Sequence, residues 1–141
     1  MSRLKLALAF TLAGLFLLLS SSWNNSPSYD ESEHVTAGYC YVSTGRNFMN
    51  PQHPPLVKDL AGLSVRLLIN PPHPPAWQVL DPRQASLQLF SGGKDVQTMI
   101  RCARLPVILL NSLFFGFFFA ALARSQGERA AVWATLMLLL C

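Results

Sequence analysis

Two long apolar runs constrain the fold of this 141-residue chain more than any other feature of its sequence. The run 105–123 contains no charged residue, and the run 4–20 contains only Lys5, near its start. As α-helix, each run would be roughly 26–28 Å long, enough to cross the hydrocarbon core of a bilayer with its flanks. Only 13% of all residues are charged, against about 25% in soluble domains. The sequence therefore predicts an all-α membrane protein with transmembrane helices at 4–22 and 105–123.

A third apolar run, 130–141, is too short to span a bilayer. We interpret it as a truncated third transmembrane helix, so that the chain is the N-terminal part of a longer protein. The first run has a second interpretation. Its basic start, apolar middle and Ser20-Ser21-Ser22 also fit a secretory signal peptide, which would make the protein secreted.

Basic residues near the ends of the spans predict the topology. By the positive-inside rule, residues 1–3 and 124–129 are cytoplasmic and residues 23–104 form an extracytoplasmic loop. The loop carries seven basic and six acidic residues, so the net charge of +4 comes mostly from the cytoplasmic ends. The apolar runs favour a multi-pass integral membrane protein, which we expect in a bacterial inner membrane rather than the endoplasmic reticulum. The basic composition indicates its topology. It does not indicate binding to nucleic acid. The basic residues used here are Arg3, Lys5, Arg124 and Arg129.

The extracytoplasmic loop contains two predicted amphipathic helices. For the first, at 31–44, Asp30 and Glu33 suggest a capping box at the start, and Gly45 suggests the end. The second, at 56–69, is predicted because four leucines recur at helical spacing on one face. Both helices would lie along the membrane surface. The leucines are Leu56, Leu60, Leu63 and Leu67.

Two proline-rich hexapeptides flank the second of these helices. Asn-Pro-Gln-His-Pro-Pro at 50–55 recurs as Asn-Pro-Pro-His-Pro-Pro at 70–75. Each proline fixes its own φ and restricts the residue before it, so both segments are predicted to be rigid and extended. The segment 76–98 contains Pro82 and a Gly-Gly pair, and is predicted to be mainly loop with at most one helical turn.

Asp30 and Glu31 are the strongest candidates for chemistry. An aspartate before a helix is commonly an N-cap, and an acidic first turn complements the helix dipole. The functional alternative is that Asp30 acts as a general base beside a lipid-linked substrate. The three histidines, His34, His53 and His73, have no compact metal-ligand spacing. Cys40 and Cys102 would share the outer compartment and could pair.

Basic side chains of the loop are candidate phosphate ligands, because Arg and Lys bind phosphate oxygens well. The alternative to phosphate binding, for each of them, is that the charged side chain only lies at the membrane interface among the lipid headgroups. The candidates are Arg46, Lys58, Arg101 and Arg104.

Taken in order, these features resemble the start of the polyprenyl-phosphate-dependent membrane glycosyltransferases, the GT-C fold enzymes that include protein O-mannosyltransferases and aminoarabinose transferases. Asp30-Glu31 matches the family's Asp-Glu motif in the first outer loop, and His53-Pro54-Pro55-Leu56 with Lys58 matches its His-Pro-Pro-Leu block. Arg101, Arg104 and Gly127 also fall where the family has them. The resemblance covers essentially the whole chain and implies the start of a GT-C fold.

The resemblance implies inverting transfer of a sugar from a polyprenyl or dolichyl phosphate to a hydroxyl acceptor. Asp30 would be the catalytic carboxylate, with Glu31 in support, and His53, Lys58 and Arg104 would bind the donor phosphate. Family members have many more spans and outer loops. We therefore expect this chain to be inactive alone and the full-length parent to be the enzyme.

The resemblance also raises a divalent metal ion as a cofactor. In the aminoarabinose branch, Glu-Lys precedes Pro-Pro-Leu, and the glutamate contacts a metal. Here Gln52 and His53 occupy those positions. Glutamine keeps a ligand oxygen but lacks the charge. The alternative to an enzyme is a small membrane protein whose outer loop binds a partner through its helices and proline segments.

Overall fold

The computed structural model describes residues 2–78, 81–92 and 95–140, and within them the chain is helical without strands. The predicted all-α class is confirmed for these residues. The helices are α1 (Arg3–Ser22), α2 (Glu31–Thr44), α3 (Pro55–Leu68), a 3₁₀ turn (Pro75–Gln78), α4 (Pro82–Ser91), α5 (Val96–Ser125) and α6 (Glu128–Leu140). The chain divides into two compact units. The outer-loop unit is Asn24–Val107, and the apolar unit combines the chain up to Trp23 with the chain from Ile108 onward.

Two helices are long and apolar enough to cross a membrane, namely α1 and α5. The 13 residues of α6 give about 20 Å of helix, which is less than the hydrocarbon thickness. Within the apolar unit, the Phe10 and Phe119 rings pack with their centroids 5.1 Å apart. Gly14 lies directly against the ring of Phe115, where a Cβ would not fit. Multi-pass topology and orientation stay predictions.

The centre of the outer-loop unit is α2, which begins and ends where the sequence predicts. Gly45 adopts φ 71° and donates its N–H to the Tyr41 carbonyl, which closes the last turn. The predicted amphipathic character is wrong for this helix. Every residue from Val35 to Tyr41 is buried, so α2 is surrounded by protein instead of lying on a surface. The period-3.6 pattern missed this because small and polar residues fill the other faces.

Helices α2 and α3 cross at two glycines. A Cβ on Gly38 would overlap the carbonyl of Lys58, and a Cβ on Gly62 would overlap the backbone of Gly38 and Tyr39. The two backbones are therefore in direct contact, as small residues at a helix crossing permit.

The leucine face of α3 points away from α2. Leu56 is 67% exposed and Leu67 is 73% exposed, and Leu63 is also exposed. The packed side of the helix consists of Lys58, Ala61, Gly62 and Val65. The predicted amphipathic pattern is thus present in α3, with its apolar stripe on the outside of the unit.

The prediction that 76–98 is mainly loop is wrong for two stretches. Pro82 begins α4, because a proline at the first helical position lacks only an N–H that would be unpaired anyway. Asp81 caps this helix by accepting hydrogen bonds from the backbone N–H groups of Arg83 and Gln84. Asp95 accepts from the N–H groups of residues 97 and 98 in the same way, so α5 begins at Val96 instead of 105.

Pro106 lies inside α5 and donates no hydrogen bond to the carbonyl of Cys102, four residues earlier. The Ser64 hydroxyl of α3 donates to that carbonyl at 2.6 Å. A side chain thus replaces the missing backbone donor, and the same contact ties α3 to the start of α5.

Candidate functional site

Asp30 lies at the N-cap position of α2 but does not cap the helix. Its φ of −101° and ψ of −11° are helical, and its carboxylate makes no capping hydrogen bond among the described residues. The predicted capping box is therefore wrong, because a cap needs extended backbone to direct its side chain at the first turn. One carboxylate oxygen lies 3.4 Å from the Ser28 hydroxyl. The side chain stays 67% exposed, so it is accessible to a ligand.

The neighbouring Glu31 points into the unit. Its two carboxylate oxygens accept hydrogen bonds from Nε and Nη2 of Arg104, each at 2.7 Å. Arg104 also donates to the carbonyls of Asn25 and Ser26. The Ser28 N–H donates to Glu31 at 3.1 Å. This arrangement ties the segment before α2 to α5, and it directs the Arg104 guanidinium at protein acceptors.

His34 connects the Asp-Glu motif to the His-Pro-Pro-Leu block. Its Nε2 lies 3.5 Å from a carboxylate oxygen of Asp30, one helical turn earlier. Its ring meets the ring of His53 edge to face, with centroids 5.0 Å apart. The structure therefore brings two predicted site residues, Asp30 and His53, into contact with the same imidazole.

Lys58 anchors the first hexapeptide from inside the unit. Although charged, it is only 4% exposed, and its ammonium donates to the backbone and side-chain oxygens of Asn50. The Tyr41 hydroxyl accepts a hydrogen bond from the Asn50 N–H at 2.8 Å. Burial lowers the pKa of Lys58, and the nearby charge of Asp59 partly opposes this. The ammonium of Lys58 thus fixes the connector that carries His53.

Tyr39, two residues before Tyr41 on α2, holds the second hexapeptide. The Tyr39 hydroxyl donates to the Pro71 carbonyl and lies 3.3 Å from the Asn70 amide oxygen. Its ring contacts His73 and Trp77, which stack on each other with centroids 4.5 Å apart. Burial raises the pKa of Tyr39, and the charge of Arg66 partly opposes this. Tyr41 and Tyr39 therefore hold the two copies of the repeat, and His73 belongs to an aromatic cluster.

The remaining candidates do not come together at one place. Cys40 is buried and Cys102 is half-buried, and both are free thiols. The described residues contain no group of three His, Cys, Asp or Glu side chains that could hold a metal ion. Gln52 and His53, the two residues at the family's metal-contacting position, are both exposed.

The structure thus gathers Asp30, His34 and His53 in one cluster. Glu31 with Arg104, and Lys58 with Asn50, support it from inside the unit. The sequence analysis missed the role of His34. Its position four residues after Asp30 was the available signal, because such residues are neighbours on a helix.

Comparison with known proteins adds no relative. No protein-family model matches this chain, and no match is found among curated proteins or solved structures. The resemblance to membrane glycosyltransferases therefore rests on the residues quoted above.

Proposed function

We propose that the outer-loop unit supplies the acceptor-activating site of a membrane glycosyltransferase that uses a polyprenyl-phosphate sugar donor. The observation that carries the proposal is the exposed carboxylate of Asp30, held next to the His-Pro-Pro-Leu connector by the His34 imidazole. A carboxylate that is solvent-accessible and has a polar neighbour within 3.5 Å suits a general base. The two helices long enough to cross a membrane fit a donor and enzyme that share the bilayer.

The proposed reaction is a single displacement. Asp30 takes the proton from the acceptor hydroxyl, whose oxygen attacks the anomeric carbon of the sugar. The bond between that carbon and the phosphate oxygen breaks, and polyprenyl phosphate leaves with the electron pair. Attack opposite the leaving group inverts the anomeric configuration. In this proposal His53, which is exposed and packs on the His34 ring, contacts the donor phosphate.

Glu31, Arg104 and Lys58 support the site indirectly in this proposal. Arg104 directs its guanidinium at Glu31 and at two carbonyls, and Lys58 is buried against Asn50. Their charges lie inside the unit and stabilise the segment and connector on which Asp30 and His53 stand.

The test replaces Asp30 by Asn in the full-length gene product, assayed in membranes with a lipid-linked sugar donor. Asparagine keeps the size and polarity of the side chain but cannot accept the proton. We expect transfer to fall by about 10²-fold or more, as for loss of a general base, with normal membrane insertion and abundance. Asp81→Asn, at the cap of α4, is the matched control and should retain transfer. Transfer at the wild-type rate by the Asp30 variant would rule out the proposal.

A further inference from the structure

The cluster at the start of α2 contains one polar side chain to which the sequence assigns no role. His34 is half-buried, and its Nε2 faces the exposed carboxylate of Asp30 at 3.5 Å. The two residues are four positions apart and so lie on the same helix face. At this distance the two side chains form an ion pair when the imidazole is protonated.

The second nitrogen of His34 is enclosed by protein. Its Nδ1 is buried and has no hydrogen-bond partner among the residues that the structure describes. The ring is held edge to face against His53, at an interplanar angle of 83°. With one nitrogen enclosed and the other facing Asp30, His34 has no free nitrogen to offer a substrate. It is therefore poorly placed to be the base itself.

We propose that His34 is a positioning residue for Asp30, and that it couples the carboxylate to the connector carrying His53. The Nε2 atom lies 3.5 Å from one oxygen of the carboxylate, and donation of a proton from Nε2 would hold that oxygen in place. The exposed side of the carboxylate is left for the acceptor hydroxyl. His53, on the connector 50–54, packs on the same ring. A shift of this connector when the sugar donor binds therefore moves the imidazole and, through it, the carboxylate. The inference rests on the function proposed above and adds a residue to that site.

A purely structural role predicts something different. An ion pair one helical turn apart, with one partner as exposed as Asp30, contributes little to helix stability. Removal of His34 should then leave both the fold and the chemistry unchanged. A positioning role instead predicts a large effect on turnover with little effect on unfolding, since misplacing a catalytic group by about 1 Å can cost about 10²-fold in rate.

Two variants separate the two contacts of the imidazole. Phenylalanine at position 34 keeps a ring against His53 but has no donor for Asp30. Glutamine keeps an N–H donor but loses the ring. We expect His34→Phe to lower kcat by about 10-fold or more with the donor KM within about twofold of wild type. His34→Gln should recover most of kcat, and its donor KM should rise because the connector has lost its support.

The outcomes separate this inference from the proposed function. If Asp30→Asn abolishes transfer while His34→Phe turns over like wild type, the positioning role is overturned and the proposed function stands. If Asp30→Asn itself transfers normally, the proposed function fails. If both His34 variants lose kcat equally, the hydrogen-bond donor at position 34 does not determine turnover. The inference is then overturned as well.

A measurement without turnover checks the same contact and does not depend on the His34 variants folding. In protein labelled with ¹⁵N-histidine, Asp30→Asn should shift the Nε2 resonance of His34 and leave that of His73, in the separate aromatic cluster, unchanged. An unshifted His34 resonance would overturn the inference.

Discussion

Glu31 and Arg104 form a two-point ion pair between residues 73 positions apart in the sequence, with both N–O distances at 2.7 Å. The side chains are only 21% and 17% exposed. Parallel hydrogen bonds from a guanidinium to a carboxylate fix direction as well as distance. The two carboxylates of the Asp-Glu motif therefore point in different directions in this structure. Glu31 is directed inward to α5, and Asp30 is directed outward.

Arg104→Lys tests this pair while keeping the charge. Lysine cannot reproduce the planar fork, so we expect the outer-loop unit to lose about 1–3 kcal/mol of unfolding free energy. Urea unfolding in detergent, followed by tryptophan fluorescence, measures the change. Arg46→Lys, at an exposed position after α2, is the matched control and should change stability by less than about 0.5 kcal/mol. Equal stability of the two variants would show that the paired hydrogen bonds from Arg104 to Glu31 contribute nothing to the unfolding free energy.

Gly62→Ala tests the close crossing of α2 and α3. The added methyl would overlap the backbone of Gly38, which no side-chain rotation can relieve, so we expect a loss of about 3 kcal/mol or more. The control is Gly92→Ala, whose Cβ would meet its nearest neighbour at an ordinary 3.4 Å. Thermal unfolding and expression level report both variants. A Gly62→Ala protein as stable as the control would mean that the helices are further apart than described.

Ser64→Ala tests the replacement of the hydrogen bond that Pro106 cannot make. The Cys102 carbonyl would lose its donor, at a cost of about 1–2 kcal/mol. In a Pro106→Ala background the backbone N–H is restored, so the same serine substitution should cost much less. A double-mutant cycle on unfolding free energy measures this coupling. Additive effects would contradict a shared acceptor.

Lys58→Met tests the anchor of the first hexapeptide. Methionine fills the apolar part of the site but cannot donate to Asn50, so the connector 50–54 should become more mobile. We expect proteolytic cleavage within the connector to be about 5–10-fold faster, because cleavage follows local opening. The control Lys5→Met removes an exposed lysine near the N-terminus and should leave cleavage there unchanged. An unchanged cleavage rate in Lys58→Met would show that Tyr41 alone holds the connector.

Alkylation of Cys40 should be slow and strongly dependent on pH. The thiolate is the reacting species, and burial raises the pKa of the Cys40 thiol, with the Thr44 hydroxyl partly opposing this. At any pH below that raised value, the folded protein therefore has less thiolate at Cys40 than the unfolded chain. Mass spectrometry of iodoacetamide-treated protein should show the midpoint of labelling at higher pH in the folded state than in urea. Equal midpoints would contradict the burial.

The sequence by itself determined several of the helices of this protein. Apolar runs of membrane-spanning length predict α1 and much of α5, and the glycine at 45 ends α2 as expected. The stripe of leucines on α3 was also readable, because helical spacing alone puts those residues on one face. Local signals of caps were only partly informative. Pro82 was predicted to break a helix but begins α4. Asp30 was predicted to cap α2 but makes no capping hydrogen bond within the part of the chain that the structure describes.

Only the tertiary structure decided which side chains meet. The Glu31–Arg104 pair, the crossing of Gly38 with Gly62 and the donation from Ser64 to Cys102 each join separate helices. Such contacts depend on how helices pack, and periodicity along the chain carries no information about partners far away in sequence. The contacts of His34 with both Asp30 and His53 are of the same kind. The i, i+4 spacing was visible beforehand, but the contact with His53 requires the connector to fold back over α2.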